Sequence, residues 1–421
     1  MRPLLGDRGE RALRLRELAA IEPPARGLVT VERRGHNTDR WSERRDPRST
    51  RRAAGAHHHQ TDEEERAHAW RIIYGAAMKK GSPPSAAAIT AHLDRGWELL
   101  ERGDLDKAEA SGKRALGLDE QGPEALTLLG SVASARGERD DALAWYERAM
   151  TADPDYVSPI LYAAELQLDE EGDVNEALRL IALALDAAEE EEEYLDAQLL
   201  KVEALLVAER DDEARDALAE LPPQELPEAG FHLRAARCWL DLERLDEAEQ
   251  HFQKAIALDA QAADAHHGLG MVYELREDER AKARAWLRVR ELDLDADAPP
   301  WGITQEEFEQ LAESALAELP ERMRTLLENV PILAADYPSI EVVAEGFDPR
   351  MLGFFSGVPY PEKSSVGGAP QLDCVFLYQR NIERMARSRD EVAKEIRITL
   401  LHETGHFFGL DEDELTEIGL G

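Results

Sequence analysis

At 421 residues the chain is too long for one ordinary domain and two or three modules are expected; 43% of residues are apolar and only 6% aromatic, which favours helices packed through small contacts. The formal charge of −37 hides a division, because residues 1–60 hold 14 Arg against 8 Asp/Glu, a net of +6 that leaves about −43 for the remainder. A body so acidic repels phosphate backbones, which excludes nucleic acid as a partner and suits basic or neutral peptides better.

Cys238 and Cys374 are far apart and form no CxxC pair, so the sequence supports neither a disulfide framework nor a cysteine zinc site, and a reducing cytoplasm fits. Charges interrupt the opening "MRPLLGDRGERALRLRELAA" before any apolar run of signal-sequence length, and no later stretch is suited to cross a bilayer. A soluble cytoplasmic protein with no membrane partner is expected.

Residues 1–77 contain many Arg, no Lys and no sustained apolar period, the composition of a disordered, solvated arm. "MKKGSPPSAAA", beginning at Met78, offers an alternative start that would place this arm outside the native protein. The His57–His58–His59 triplet within it reads as a chance tract.

From about residue 89 the chain repeats. Ala108, Ala142, Ala177, Ala214, Ala248 and Ala283 recur at separations of 34, 35, 37, 34 and 35, the period of paired-helix solenoids. The unit with Gly130, Gly137, Ala142, Tyr146, Ala149 and Pro154 is the clearest, Gly270 and Tyr273 recur in the last, and the fourth, around "VAERDDEARDALAELPPQEL", is degenerate. Gly and Ala at helix crossings let backbones approach, while Tyr146 or Phe252 fills the space between helix pairs. On these residues the stretch 89–295 resembles the tetratricopeptide repeat family, in about five or six units. The resemblance implies an α-solenoid that binds a peptide or protein partner; scaffolding the next domain is the other role open to it.

"DLDADAPPWGIT" (293–304) breaks the helical pattern and is the expected domain boundary. Beyond it the sequence predicts a helix at about 305–318, a short apolar segment near "PILAADY", a Gly/Pro/Ser-rich stretch containing "LGFFSGVPYPEKSSVGGAP", a strand at 374–378 and two helical stretches. Few strands among helices indicate a small α/β or α+β unit after a mostly α array.

Ser388 and Glu391 have the spacing of a capping box, which predicts a helix running to about Phe408. Val392, Ile396, Ile398, Leu400 and Leu401 cover more than one of its faces, so it should be buried. Near its end stands "HETGHFFGLDEDEL": His402 and His406 lie one turn apart on one face, able to reach one ion, with Glu403 beside them. Gly409 supplies a stop that turns the chain back. The run Asp411, Glu412, Asp413, Glu414 then offers an acidic third ligand, and HExxHxxGxx(H/D/E) counts to Glu412; Asp411 and Asp413 remain alternatives. The same acids also suit the first turn of a helix before "LTEIGL".

Through "EEFEQLAESALAELPERMRTLLENVPILAADYP", "LGFFSGVPY" and "RITLLHETGHFFGLDEDEL", residues 303–421 resemble the minimal zincin family of small bacterial zinc metallopeptidases. The resemblance implies Zn2+ as cofactor, His402, His406 and Glu412 as ligands, and Glu403 as the general base of peptide hydrolysis. Tyr360 and Tyr378 are candidates to stabilise an oxyanion, and the strand at 374–378 is either a substrate-pairing strand or an interior one. The expected function is a zinc-dependent peptidase whose repeats recruit a protein; the rival is a non-catalytic scaffold with a zincin-like metal-binding domain.

Overall fold

The computed structural model describes residues 84–169, 172–221, 226–357, 373–386 and 388–417. The arm expected at 1–77 and Tyr360 lie outside the described residues. Contacts divide the chain into two compact units, one ending at Val272 and the other taking up the chain at Tyr273. Among the described residues no helix is long and apolar enough to cross a membrane.

The first unit is built from antiparallel helix pairs. They are α1 (Pro84–Glu101) with α2 (Leu105–Leu118), α3 (Pro123–Ala135) with α4 (Arg139–Ala152), α5 (Val157–Leu166) with α6 (Val174–Ala187), α7 (Glu191–Val207) with α8 (Asp211–Glu220), and α9 (Ala229–Asp241) with α10 (Leu245–Leu258). Ala108, Ala142, Ala177, Ala214 and Ala248 are fully buried in the second helix of each pair, where a larger side chain would hold the partner off. Gly130 serves the same purpose: a Cβ there would lie 2.4 Å from the Tyr146 ring.

The turn inside a pair repeats in four of the five pairs. Gly103, Gly137, Glu209 and Glu243 each take a left-handed φ of 56° to 76°. The next amide then reaches back into the preceding helix, as in Asp104 N–H to the Leu99 carbonyl (2.9 Å) and Arg244 N–H to the Trp239 carbonyl (2.8 Å), closing Schellman ends. Glycine and glutamate thus do one conformational job, and only the glycines do it without strain.

The break between the units falls within α11 (Ala263–Leu275), whose turn into α12 (Glu279–Leu294) uses Glu277 at φ 58°. One sequence expectation is corrected here. Each buried alanine above is the fourth residue of its helix, and in α12 that place belongs to Lys282, not Ala283. Lys282 is 6% exposed; it pairs with Glu279 (2.8 Å) and lies over the Trp286 ring.

In the second unit α12 packs through Trp286 and Val289 on Val343 of α15 (Ile340–Ala344). Asp293, in its last turn, is 2% exposed and accepts from Arg350 Nε (3.0 Å) and Nη2 (3.2 Å) and from Arg384 Nη2 (2.7 Å). The expected helix is α13 (Gln305–Glu318), capped by Thr304, followed by α14 (Glu321–Leu327). Three strands form a mixed sheet, β1 (Ile332–Ala335), β2 (Gly353–Ser356) and β3 (Cys374–Tyr378), in the order β1-β3-β2. β3 runs parallel to β1 and antiparallel to β2. It is therefore the interior strand, both of its edges are occupied, and the reading of residues 374–378 as a substrate-pairing strand is excluded. Helix α16 (Gln379–Met385) follows β3, and α17 (Arg389–Phe407) and α18 (Glu412–Glu417) come after it. Phe308, Val375, Leu377, Ile396, Leu400 and Phe407 form the centre of this unit's core.

Each unit generates a test. In the first, His232 Nδ1 and His251 Nδ1 stand 3.1 Å apart, and burial, helped by Lys254, pushes both rings down from 6.5 to about 4. The unfolded chain binds these protons below about pH 6.5 and the folded array only below about 4, so stability is full above 6.5 and falls as pH drops through that window. Replacing His251 with Asn should make the fall in melting temperature between pH 6.5 and 4 shallower in thermal scans; an unchanged slope would place the rings in water. In the second, Asp293→Ala leaves two arginines half-buried without their carboxylate and should cost about 3–5 kcal/mol in denaturant unfolding.

Candidate metal centre

Helix α17 begins as its sequence requires: the Ser388 hydroxyl accepts from the Glu391 amide (3.2 Å). Val392, Ile396, Leu400 and Leu401 are buried, and the last two turns carry His402, Glu403 and His406 into the same apolar surroundings. The two histidines are half-buried and Glu403 is 7% exposed.

The imidazoles converge. His402 Nε2 and His406 Nε2 are 2.9 Å apart, their rings nearly perpendicular at 82°. His406 Nδ1 lies 3.1 Å from the Leu410 carbonyl, which can only accept, so in the neutral ring the proton sits on Nδ1 and the Nε2 lone pair faces His402. This is the arrangement a zinc ion needs from two histidines: with Zn–N near 2.0–2.1 Å, tetrahedral donors stand roughly 3.3 Å apart, a small ring rotation from the separation seen. The donor pair fits the ion.

The turn after α17 produces this geometry. Gly409 has φ +80°, the Leu410 amide donates to the Gly405 carbonyl (3.1 Å) and the Gly409 amide to the His406 carbonyl (2.9 Å), a Schellman end like those of the repeats. It delivers the Leu410 carbonyl to His406 Nδ1 and turns the chain into α18. Gly405, inside the HExxH stretch, admits that helix: a Cβ there would lie 2.4 Å from Leu415 Cδ2, and Leu415 is fully buried. Sequence reasoning misses Gly405, although a glycine inside an otherwise good helix is itself a sign of close approach.

The acids after the glycine divide in role. The Asp411 carboxylate accepts from the Glu414 amide (3.0 Å) and the Glu414 carboxylate from the Asp411 amide (3.1 Å), a reciprocal cap on α18. Glu412 is the first residue of that helix, and its side chain and that of Asp413 lie outside the described residues. Among the described residues no third His, Cys, Asp or Glu joins the two imidazoles.

Gly353, at the start of β2, lies against the Glu403 side chain: a Cβ there would be 2.7 Å from Glu403 Cγ and 2.9 Å from Glu403 Oε1. Tyr378 is 2% exposed; burial first, then the Glu403 carboxylate, push its phenol up to about 12. It is a neutral interior group of the sheet, sealed from a substrate oxyanion in this structure, and an oxyanion role for it is not supported. Gly409→Ala forces a β-carbon into the left-handed region and moves the Leu410 carbonyl; zinc affinity measured by chelator competition should fall about 10–100-fold, the range seen when a ligand's orienting partner is lost.

Comparison with known proteins agrees with both units. Residues 327–421 match the family described as Zincin-like metallopeptidase, and residues 93–157 and 224–263 match the Tetratricopeptide repeat family. Among characterised proteins, Cellulose synthase 1 operon protein C of Komagataeibacter xylinus is 26% identical over 210 residues, which is 49% of this chain and 13% of that protein. Among solved structures, that from the functional characterisation of Pseudomonas aeruginosa pilF is 16% identical at a TM-score of 0.41, covering 51% of this chain and 96% of its own. A thermophilic TPR protein of Thermus thermophilus is 22% identical at 0.37, covering 42% of this chain and 94% of its own. The chain thus carries a tetratricopeptide-repeat array followed by a domain of the zincin-like metallopeptidase family.

Proposed function

We propose that the protein is a zinc-dependent peptidase of the cytoplasm whose repeats recruit the protein to be cut. The observation that carries this reading is the pair of imidazole Nε2 atoms converging at 2.9 Å beside a buried glutamate. His402 and His406 would hold the ion through these atoms, and the Glu412 carboxylate, opening α18 directly beyond the glycine turn, would be the third ligand. Asp411 is the weaker choice because its carboxylate already caps α18. A bound zinc ion supplies a Lewis acid that polarises a peptide carbonyl and acidifies a water.

The chain's own residues do the rest. Glu403 takes the proton of the attacking water on a carboxylate oxygen and passes it to the departing amine nitrogen. Its burial keeps bulk water from competing for that proton. The Leu410 carbonyl holds the His406 ring in one tautomer throughout. With β3 interior, the strand beside the base is β2, at the edge of the sheet among the described residues, and we place the extended substrate backbone along it. The acidic array would attract basic protein segments and would not repel neutral ones.

The test is a metal analysis with peptide-library cleavage on the full chain. Glu403→Gln should retain one zinc per chain and lose about 10²–10⁴-fold in kcat/KM. Glu412→Ala should weaken zinc binding far more than Asp411→Ala. Cleavage that survives Glu403→Gln would remove the base, and zinc bound with no turnover on any peptide would favour the scaffold. A larger loss from Asp411→Ala would move the ligand by one residue.

A further inference from the structure

Gly353 is a glycine that its backbone does not demand. It stands in a regular strand, paired with Leu377, and is absent from the residues with positive φ. Any residue could adopt its conformation, so the need for a missing side chain comes from what lies above it. The three nearest neighbours of a Cβ at this place would all be atoms of α17: Glu403 Cγ at 2.7 Å, Thr399 Cγ2 at 2.8 Å and Glu403 Oε1 at 2.9 Å. All three are closer than real Cβ contacts, and two belong to the base.

The strand is in no position to yield. Asn381 Nδ2 donates to the Pro349 carbonyl (2.9 Å) and to the Met351 carbonyl (2.7 Å), and the Tyr378 amide donates to the Leu352 carbonyl (2.8 Å). Arg350 between them is held by Asp293 through two hydrogen bonds of 3.0 and 3.2 Å. On its far side Phe355 packs edge-on against Phe407 of α17 (5.8 Å between centroids). Four consecutive residues before Gly353 are tied down from α12, α16 and β3, and the backbone they deliver lies directly on the Glu403 side chain.

We infer that Gly353 is a positioning residue for Glu403: its bare backbone, fixed by the anchored segment 349–352, is the wall that sets where the carboxylate sits. The catalytic consequence rests on the peptidase reading above; the steric coupling between residues 353 and 403 does not. A carboxylate that must take a proton from water and return it to an amine has to be held to within fractions of an ångström, and a rigid wall of backbone does this by shape alone. A methyl group on the wall displaces the base and leaves the imidazoles in place.

Thermal melts of four full-length, metal-free proteins, the wild type, Gly353→Ala, Glu403→Ala and the double variant, read the coupling without substrate or zinc. Gly353→Ala alone should lower the melting temperature by roughly 5 °C or more, and at least about half of that loss should return when Glu403 is also Ala. Should Gly353→Ala alone fail to fold, recovery of folding in the double variant is the same result in stronger form. Strictly additive losses, a double variant that does not fold, or recovery through Thr399→Ser but not through Glu403→Ala would overturn the inference. In the zinc-loaded protein Gly353→Ala should keep zinc affinity within about twofold and lose about tenfold or more in kcat. Undiminished kcat in a variant whose melts show the coupling would also overturn the positioning role. A wild type that cleaves no peptide sinks the peptidase reading, and the melting cycle then decides the wall by itself.

Discussion

The way α17 ends governs the whole C-terminal site. The last two turns of α17 are largely buried, so little water reaches the carbonyls at its end and the protein must meet most of them. The left-handed Gly409 does two things with one turn. It closes the helix on the Gly405 and His406 carbonyls, and it swings the Leu410 carbonyl onto His406 Nδ1. In the neutral ring a proton held on Nδ1 leaves the Nε2 lone pair facing His402. Gly405 then lets Leu415 seat itself against the same turn, which is why the acids of α18 begin where they do.

Much of this can be read in the sequence, for reasons that are local. The Ser388–Glu391 box, the HExxH spacing and the glycine stop are all set within a few residues of the atoms they control, and the structure has the helix between Arg389 and Phe407. The repeat period is equally plain, since five alanines sit at a helix crossing that excludes anything larger. What escapes is decided at a distance. β2 is four residues, Gly-Phe-Phe-Ser, inside a Gly/Pro/Ser-rich stretch; only pairing with β3 makes it a strand, and only Glu403 explains its glycine. Asp411 shows a different limit. A helix N-terminus and a divalent ion both call for a carboxylate at the same place, so residue type there is blind to which of the two it serves.

Helix α12 makes the same point about domains. Its sequence keeps the repeat period, yet it packs within the second unit, and the departures from the repeat pattern are what adapt it. An alanine at residue 282 would suit a neighbouring helix pair; the lysine there instead keeps its charge in reach of Glu274 and Glu279 while its stem lies beside Gly346. Within this second unit Trp286 and Val289 of α12 pack on Val343 of α15.

That exchange ties the repeat pattern to the chemistry by direct contacts within one unit. Asp293 ends α12 and holds Arg350; Arg350 belongs to the segment that Asn381 and Tyr378 also fix; the segment delivers Gly353; and Gly353 lies on Glu403. Each link is short and each is buried or half-buried, so none is screened away by solvent. The proline-rich stretch 293–304 looks like a seam in composition, but it opens on Asp293, the carboxylate in the last turn of α12 that holds Arg350. A chain cut at its prolines would keep both histidines, Glu403 and every acid beyond Gly409, and would still lack Asp293, one of the three groups that anchor the segment leading to Gly353.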